Sequence, residues 1–277
     1  MIHEIYPHRF NNHYIPFKKI GEMDFIFHYN GDKILLRTCG DEFEIPRRID
    51  FPEIRDEAEN TFLFTFDEVP CFLLLDDMKA VKPGFVYKEL SFFRYTRQQE
   101  IAWVSLAGFH LMNWYSQNLF CGKCGAGTRQ KPDDRAIICT NCNTIIYPRI
   151  SPAVIVAITC NDKILLARNS NFAGNWYSLI AGYVDIGESL EEALIREVKE
   201  EVGLDVKNIR YYKSQPWPLS GSMMIGFVAE ADENQPVSTD NKEIAEAAWF
   251  TRGNLPDHSL NLSIAGEMIE KFESGEL

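Results

Sequence analysis

The stretch Gly182-Tyr183-Val184-Asp185-Ile186-Gly187-Glu188-Ser189-Leu190-Glu191-Glu192-Ala193-Leu194-Ile195-Arg196-Glu197-Val198-Lys199-Glu200-Glu201-Val202-Gly203-Leu204 is the most informative part of this 277-residue chain. Its spacing predicts a helix from about 189 to 202, with Ser189 or Glu188 near the N-terminus and Gly203 just past the end. Leu190, Ala193, Leu194 and Val198 recur at helical spacing and form its apolar face. Glu197, Glu200 and Glu201 stand at i, i+3 and i+4, so their carboxylates are expected to converge on one face. On glutamate spacing alone, this is a solvated acidic face. Two details favour a metal site instead. Gly182 and Gly187 precede the helix and permit close backbone approach to a ligand. Arg196 stands beside the cluster and can hold a carboxylate in a fixed bidentate geometry. Hard oxygen ligands of this kind select Mg²⁺ or Mn²⁺ and leave coordination positions for water and phosphate.

After this helix, strands are expected at Met223–Ala229 and Ala247–Phe250, then a final helix with Leu260, Ile264, Ala265, Met268, Ile269 and Phe272 on one side. Before it, Ala153-Val154-Ile155-Val156-Ala157-Ile158 reads as a fully apolar strand, turned by Asn161-Asp162-Lys163 into Ile164-Leu165-Leu166-Ala167. Further upstream, Cys121-Gly122-Lys123-Cys124 and Cys139-Thr140-Asn141-Cys142 form two C-x2-C pairs separated by fourteen residues. Two such knuckles close a four-thiolate shell around one structural Zn²⁺ per chain, with no open position for catalysis. Gly122, Gly125 and Asn143 suit the knuckle backbone. Lys123, Arg129, Lys131, Arg135 and Arg149 make this region locally basic, diluted by Asp133 and Asp134, which keeps a nucleic-acid-binding ribbon as an alternative. Cys39, Cys71 and Cys160 are expected to be buried small hydrophobes.

From about 97 to 118, Trp103, Leu106, Ala107, Leu111 and Trp114 share one helical stripe with His110, read as a packing residue. The preceding residues are strand-like. Phe25-Ile26-Phe27 and Ile34-Leu35-Leu36 flank Asn30-Gly31, a hairpin dipeptide, and Phe62–Phe66 and Cys71–Leu75 read as further strands. The expected class is α+β, in three parts: a β-rich domain with a connecting helix (1–116), a zinc ribbon (117–150) and a C-terminal domain (151–277).

The 28 Lys+Arg against 40 Asp+Glu give a net charge of −12, which supplies no whole-body attraction for nucleic acid or anionic lipid. No stretch approaches the roughly 18 apolar residues of a membrane span. Met1-Ile2-His3-Glu4-Ile5-Tyr6-Pro7 lacks the regions of a signal peptide, and Glu273–Leu277 matches no retention signal, so a cytoplasmic location is expected.

The stretch that begins at Gly182 resembles the Nudix box, G-x5-E-x7-R-E-U-x-E-E-x-G-U with U aliphatic. It matches at every specified position: Gly182, Glu188, Arg196, Glu197, Val198, Glu200, Glu201, Gly203 and Leu204. The resemblance implies an α/β/α sandwich and hydrolysis of a nucleoside diphosphate linked to another moiety. Downstream, Ser214-Gln215-Pro216-Trp217-Pro218-Leu219-Ser220-Gly221-Ser222 resembles the S-Q-P-W-P-F-P-x-S array of the NADH pyrophosphatase branch, which also carries a four-cysteine ribbon before its Nudix domain. Leu219 and Ser220 stand where that array has phenylalanine and proline, a change that bears on the grip on a dinucleotide.

The resemblance covers about residues 95 to 277. It implies cleavage of NADH or NAD to nicotinamide mononucleotide, reduced or not, and AMP, with removal of NAD caps from RNA, or hydrolysis of another nucleoside diphosphate derivative such as a dinucleoside polyphosphate, as alternatives. A nucleic-acid-binding module with an inactive Nudix domain is an alternative of another class. By resemblance the catalytic metal is held by Glu197, Glu201 and Glu243 with the Ala181 carbonyl. Glu243 lies in Lys242-Glu243-Ile244-Ala245-Glu246-Ala247, a similar pattern. Glu200 or Glu201 is implied as the general base, with Glu188 and Arg196 completing the catalytic group. Substrate contacts are implied for Gln215, Pro216, Trp217, Pro218, Leu219, Ser220, Gly221, Ser222, Tyr147 and Ala265. Tyr147 reads equally as a stacking ring or a packing tyrosine, and Trp217, between two prolines, reads as a loop buttress. A homodimer is implied.

Overall fold

The computed structural model describes residues 1–54, 61–75, 82–94, 96–170, 176–239, 242–259 and 262–277. They form two compact units, one of Ile2–Arg149 with Pro218–Ser220, the other of Met1, Ile150–Trp217 and Gly221–Leu277.

The first unit holds strands β1 (Phe10–Asn11), β2 (Phe25–Phe27), β3 (Tyr29–Asn30), β4 (Lys33–Cys39), β5 (Glu42–Glu44), β6 (Thr61–Phe66), β7 (Val69–Leu73) and β8 (Phe85–Glu89), then helix α1 (Gln99–Gln117). One sheet runs β1-β6-β7-β2; in the other, β4 pairs with β3, β5 and β8. The Asn30-Gly31 turn joins β3 to β4, with Gly31 at φ +59°. Phe25–Phe27 is not an arm of that hairpin: β2 pairs in parallel with β7, Ile26 opposite Phe72. The chain changes sheets at the buried His28, whose carbonyl accepts the Leu35 N–H and whose Nδ1 lies 2.6 Å from the Tyr87 hydroxyl. Cys71 is buried as expected. Cys39 is exposed, because it ends β4 at the Gly40 turn, and Cys160 is half-buried. Trp103, Leu106 and Trp114 are buried along α1, and His110 Nε2 donates to the Arg149 carbonyl (2.9 Å). A small sheet, β9 (Thr128–Gln130), β10 (Ile137–Cys139) and β11 (Ile145–Ile146), carries the cysteines, and Gln130 Nε2 donates to Thr61 Oγ1 (2.9 Å).

The second unit is a mixed sheet between two helices. Its elements are β12 (Ser151–Cys160), β13 (Lys163–Asn169), β14 (Ile180–Tyr183), α2 (Leu190–Val202), β15 (Lys207–Trp217), β16 (Ser222–Glu230), β17 (Ile244–Thr251) and α3 (Ile264–Ser274). The order is β15-β16-β12-β13-β17, with β14 also on β12; β12–β16 is parallel and the other described strand pairs of this sheet are antiparallel. Asn161 (φ +53°) makes the β12–β13 turn. Alternation along β12 sorts the core, as the two-residue period of a strand requires. Val154, Val156 and Ile158 join Ala193, Leu194, Val198 and Val202 of α2. Ile155 and Ala157 join Ile264, Met268, Ile269 and Phe272 of α3. This is the expected α/β/α layering within an α+β chain. Leu260 lies outside the described residues. Among the described residues, no helix is long and apolar enough to cross a membrane.

Candidate active site

Helix α2 starts where local chemistry stops the chain from extending. The Ser189 hydroxyl accepts the Glu192 N–H (3.2 Å), and the Glu192 carboxylate accepts the Ser189 N–H (2.8 Å), a reciprocal cap. Gly203 ends the helix at φ +75°. In the preceding loop, Gly187 is at φ +97°. Arg196 binds this loop to the helix. Its Nε and Nη2 donate to the two Glu188 carboxylate oxygens (2.5 and 2.9 Å), and Nη2 also donates to the Tyr183 carbonyl (3.0 Å). Glu188 in turn accepts the Asp185 N–H (2.9 Å). These bonds, led by that from Arg196, bring the Glu188 carboxyl down to about 2. The expected bidentate grip of Arg196 is therefore realised, and its partner is Glu188.

The remaining carboxylates take distinct positions. Glu197 reaches β14, pairs with Arg196 Nη1 (2.9 Å), and packs where Gly182 has no side chain. Burial pushes its carboxyl up, opposed by Arg196 and aided by the Glu200 and Glu243 charges. Glu243 immediately precedes β17, and its carbonyl accepts the Ser170 N–H (2.8 Å). Ala181 sits beside Gly182 on β14, opposite Ile155 of β12. Glu197 and Glu200 meet at Arg196 Nη1, as their i, i+3 spacing leads us to expect. Glu200 is exposed and pairs with Arg196 Nη1 (3.1 Å), whereas Glu201 is buried among the core positions of α2. Successive helical residues point about 100° apart, which separates the exposed Glu200 from the buried Glu201. Among the described residues, the four cysteines are the one group of three or more metal-binding side chains whose ligand atoms all lie within 4.8 Å of one another.

In that cysteine group, the Sγ atoms of Cys121 and Cys142 are 3.7 Å apart and those of Cys124 and Cys139 are 3.4 Å apart. Zn–S bonds of about 2.3 Å give a tetrahedral edge of about 3.8 Å, so the set fits zinc. Cys139 Sγ accepts the Asn141 and Cys142 N–H groups (3.4 Å each). Gly125 (φ +76°) and Asn143 (φ +56°) make the knuckle turns, and Gly122 does not need positive φ.

The array of residues 214–222 closes the β15–β16 hairpin, with Gln215 opposite Met224 and Trp217 opposite Ser222. Gly221 (φ +65°) offers its carbonyl to the Ser151 N–H (2.9 Å). Pro216 and Trp217 are half-buried and Ser222 is buried. Pro218, Leu219 and Ser220 group with the first unit, as does Tyr147, whose ring is exposed. Two residues that the resemblance places at the substrate are buried in this structure. Gln215 has no exposed surface, and its amide is occupied by Leu262 and Ile264 of the α3 entry. Ala265 is 5% exposed within the α3 core cluster. Sequence reasoning also missed β15 as a strand, and the Tyr183 carbonyl and Asp185 N–H as partners of the Arg196–Glu188 pair. Backbone groups carry no residue signal.

Three family models match consecutive parts of the chain: the NADH pyrophosphatase-like rudimentary NUDIX domain over residues 24–114, the NADH pyrophosphatase zinc ribbon domain over 116–147, and the NUDIX domain over 149–272. A relative from Stutzerimonas stutzeri (strain A1501), named NAD-capped RNA hydrolase NudC, is 38% identical over 82% of this chain and 80% of its own length. One of the same name from Pseudomonas fluorescens (strain Pf0-1) is 39% identical over 76% of each chain. Among solved structures, a NUDIX hydrolase from Nitrosomonas europaea is similar at a TM-score of 0.49, with 23% identity over 56% of this chain and 90% of that one. The box, the ribbon and relatives alike along most of the sequence agree, and the chain belongs to the Nudix hydrolases of the zinc-ribbon NADH pyrophosphatase type.

Proposed function

We propose that this enzyme hydrolyses the pyrophosphate bond of NADH or NAD, free or as the 5′ cap of an RNA. The products are nicotinamide mononucleotide, reduced or not, and AMP or a 5′-phosphorylated RNA. The observation that carries this reading is the Glu188–Arg196 clamp with Glu197 seated against the Gly182 backbone, in a chain similar over 82% of its length to an NAD-capped RNA hydrolase.

Glu197, Glu201, Glu243 and the Ala181 carbonyl would hold Mg²⁺ or Mn²⁺. Oxygen donors of this type suit those ions, and the absent Cβ of Gly182 is what lets Glu197 reach the strand that carries Ala181. When bound, such an ion neutralises phosphate charge and lowers the pKa of a coordinated water. Glu200 or Glu201 accepts the proton of the attacking water. Arg196 and Glu188 hold the loop and helix in register. Pro216, Trp217, Gly221 and Ser222 on the hairpin, with Ala265 in the first turn of α3, bind the substrate. Pro218, Leu219, Ser220 and Tyr147 are assigned to it by resemblance alone. The same resemblance supports a three-part division at about residues 116 and 150 and a homodimer, and a cytoplasmic location is the reading taken from the sequence. The complete carboxylate set opposes an inactive binding module.

The test is turnover of NADH, NAD and an NAD-capped RNA at equal concentration with Mg²⁺ or Mn²⁺, products resolved by chromatography. Cleavage of NADH to AMP and the reduced mononucleotide supports the assignment. If all three are inert while another nucleoside diphosphate derivative is cleaved, the substrate assignment is overturned. Full turnover by Glu201→Gln would overturn the chemistry.

A further inference from the structure

We infer that Gln215 is a positioning residue: its buried amide latches the entry of α3 to strand β15 and so sets the substrate-binding face without touching the substrate. The inference rests on the pyrophosphatase reading for its kinetic consequence and on geometry alone for the latch.

Gln215 is fully buried. Its Nε2 donates to the Leu262 carbonyl (2.9 Å), and its Oε1 accepts the Ile264 N–H (2.7 Å). Ile264 is the first residue of α3, where a backbone N–H has no partner inside the helix. A neutral side chain with both a donor and an acceptor on one fork is found only in glutamine and asparagine, and asparagine is one methylene shorter. Ser263 caps the same turn by accepting the Gly266 N–H (3.1 Å). The same strand holds α3 a second time. The Tyr212 hydroxyl (2.8 Å) and Lys213 Nζ (3.2 Å) both donate to Glu267 Oε1. On β16, a Cβ at Gly226 would lie 2.7 Å from Ile264 Cδ1 and 3.3 Å from Met268 Sδ, so a larger residue there would force the α3 side chains to shift.

Strand β15 thus makes its directional contacts with the first turn of α3, while at the far end Arg252 Nε donates to the Phe272 carbonyl (2.8 Å) and Glu273 accepts the Gly253 N–H (3.0 Å). Between these ends the helix packs through Met268, Ile269 and Phe272. Apolar packing of this kind is non-directional and tolerates small slides that a hydrogen bond does not. Trp217, Ser222 and Ala265 lie on β15, β16 and α3, and the Gln215 amide hydrogen-bonds from β15 to the backbone on both sides of Ser263, at the entry of α3. Losing it should spoil substrate grip and spare the carboxylates of α2.

The test compares the full-length wild type with Gln215→Met, which keeps length without hydrogen bonds, and Gln215→Glu. Amide exchange of residues 262–268 in the ligand-free Gln215→Met protein should quicken about tenfold, the equivalent of one lost hydrogen bond, with α2 unchanged. KM for NADH should rise about tenfold while kcat stays within about threefold. Gln215→Glu can donate to Leu262 only when protonated, and a carboxyl buried against a carbonyl has a raised pKa. Its KM should therefore approach the wild-type value as the pH is lowered from about 8 to about 6. Raised KM with unchanged exchange at 262–268 would mean that Gln215 acts on the ligand directly, and the inference fails. It also fails if exchange quickens and KM does not move, or if neither changes. If Gln215→Met does not fold, the pH dependence of exchange and KM in Gln215→Glu decides. If the wild type does not cleave NADH, the pyrophosphatase reading is lost, and exchange at 262–268 still decides the latch.

Discussion

A Cβ on Gly182 would fall 1.9 Å from Glu197 Cδ. Strand β14 and helix α2 approach so closely that the carboxylate occupies the space any side chain would need. The first glycine of the box is therefore a steric requirement of Glu197, separate from any need for positive φ.

Gly182→Ala should displace Glu197 and lower kcat by about 100-fold or more, the scale of an ångström's misplacement in an active site. Overpacking should cost about 1–3 kcal/mol of stability. Turnover kinetics with a urea melt checks both, and a kcat close to wild type would show that Glu197 can move without loss.

Acid should weaken the Arg196 clamp in a defined window. The Glu188 carboxyl is depressed from its ordinary 4.5 to about 2. A depressed acid contributes stability above its unfolded-state value and loses it as pH falls toward the folded one. The stability gap between wild type and Glu188→Gln should therefore be fully present at about pH 6 and shrink as pH drops below about 4.5. Urea midpoints at several pH values test this, and a gap that widens on acidification would contradict it.

Arg196→Lys keeps the charge and loses the fork that reaches both Glu188 oxygens and the Tyr183 carbonyl. Activity should fall about 100-fold, with faster amide exchange in residues 183–188. Wild-type exchange there would show that charge alone holds the loop.

The ribbon should bind one zinc per chain and lose it in Cys139→Ser. That variant removes a ligand which also accepts two backbone N–H groups. Because metal-binding energy is folding energy for such sites, the melting temperature should drop by several degrees or more. Metal analysis and calorimetry decide. Retained stoichiometric zinc would mean that the four sulfurs do not act as one site.

The limits of α2 were legible because Ser189, Glu192 and Gly203 act within a few residues of the helix ends they define. The ribbon was legible for a similar reason, its spacing being a local geometric demand. The partner of β2 was not. Phe25-Ile26-Phe27 has no polar residue to mark a solvent face, so nothing in the segment distinguishes the nearby Ile34 from the distant Phe72. The array showed a similar limit. Its letters resembled a substrate-binding run, yet Gln215 faces α3, because strand parity and the approach of a helix some fifty residues later decide where that side chain goes.

From sequence alone came the family, the layered α+β class, the helix with its caps, the cysteine set and the acidic residues of the box. All of these rest on chemistry that acts between near neighbours or at fixed spacing. Tertiary structure alone decided that Glu201 is buried, that Glu197 lies against Gly182, and that Gln215 is committed to α3. Each of those outcomes depends on which surface of another element is packed opposite, a quantity set by burial across the whole sheet.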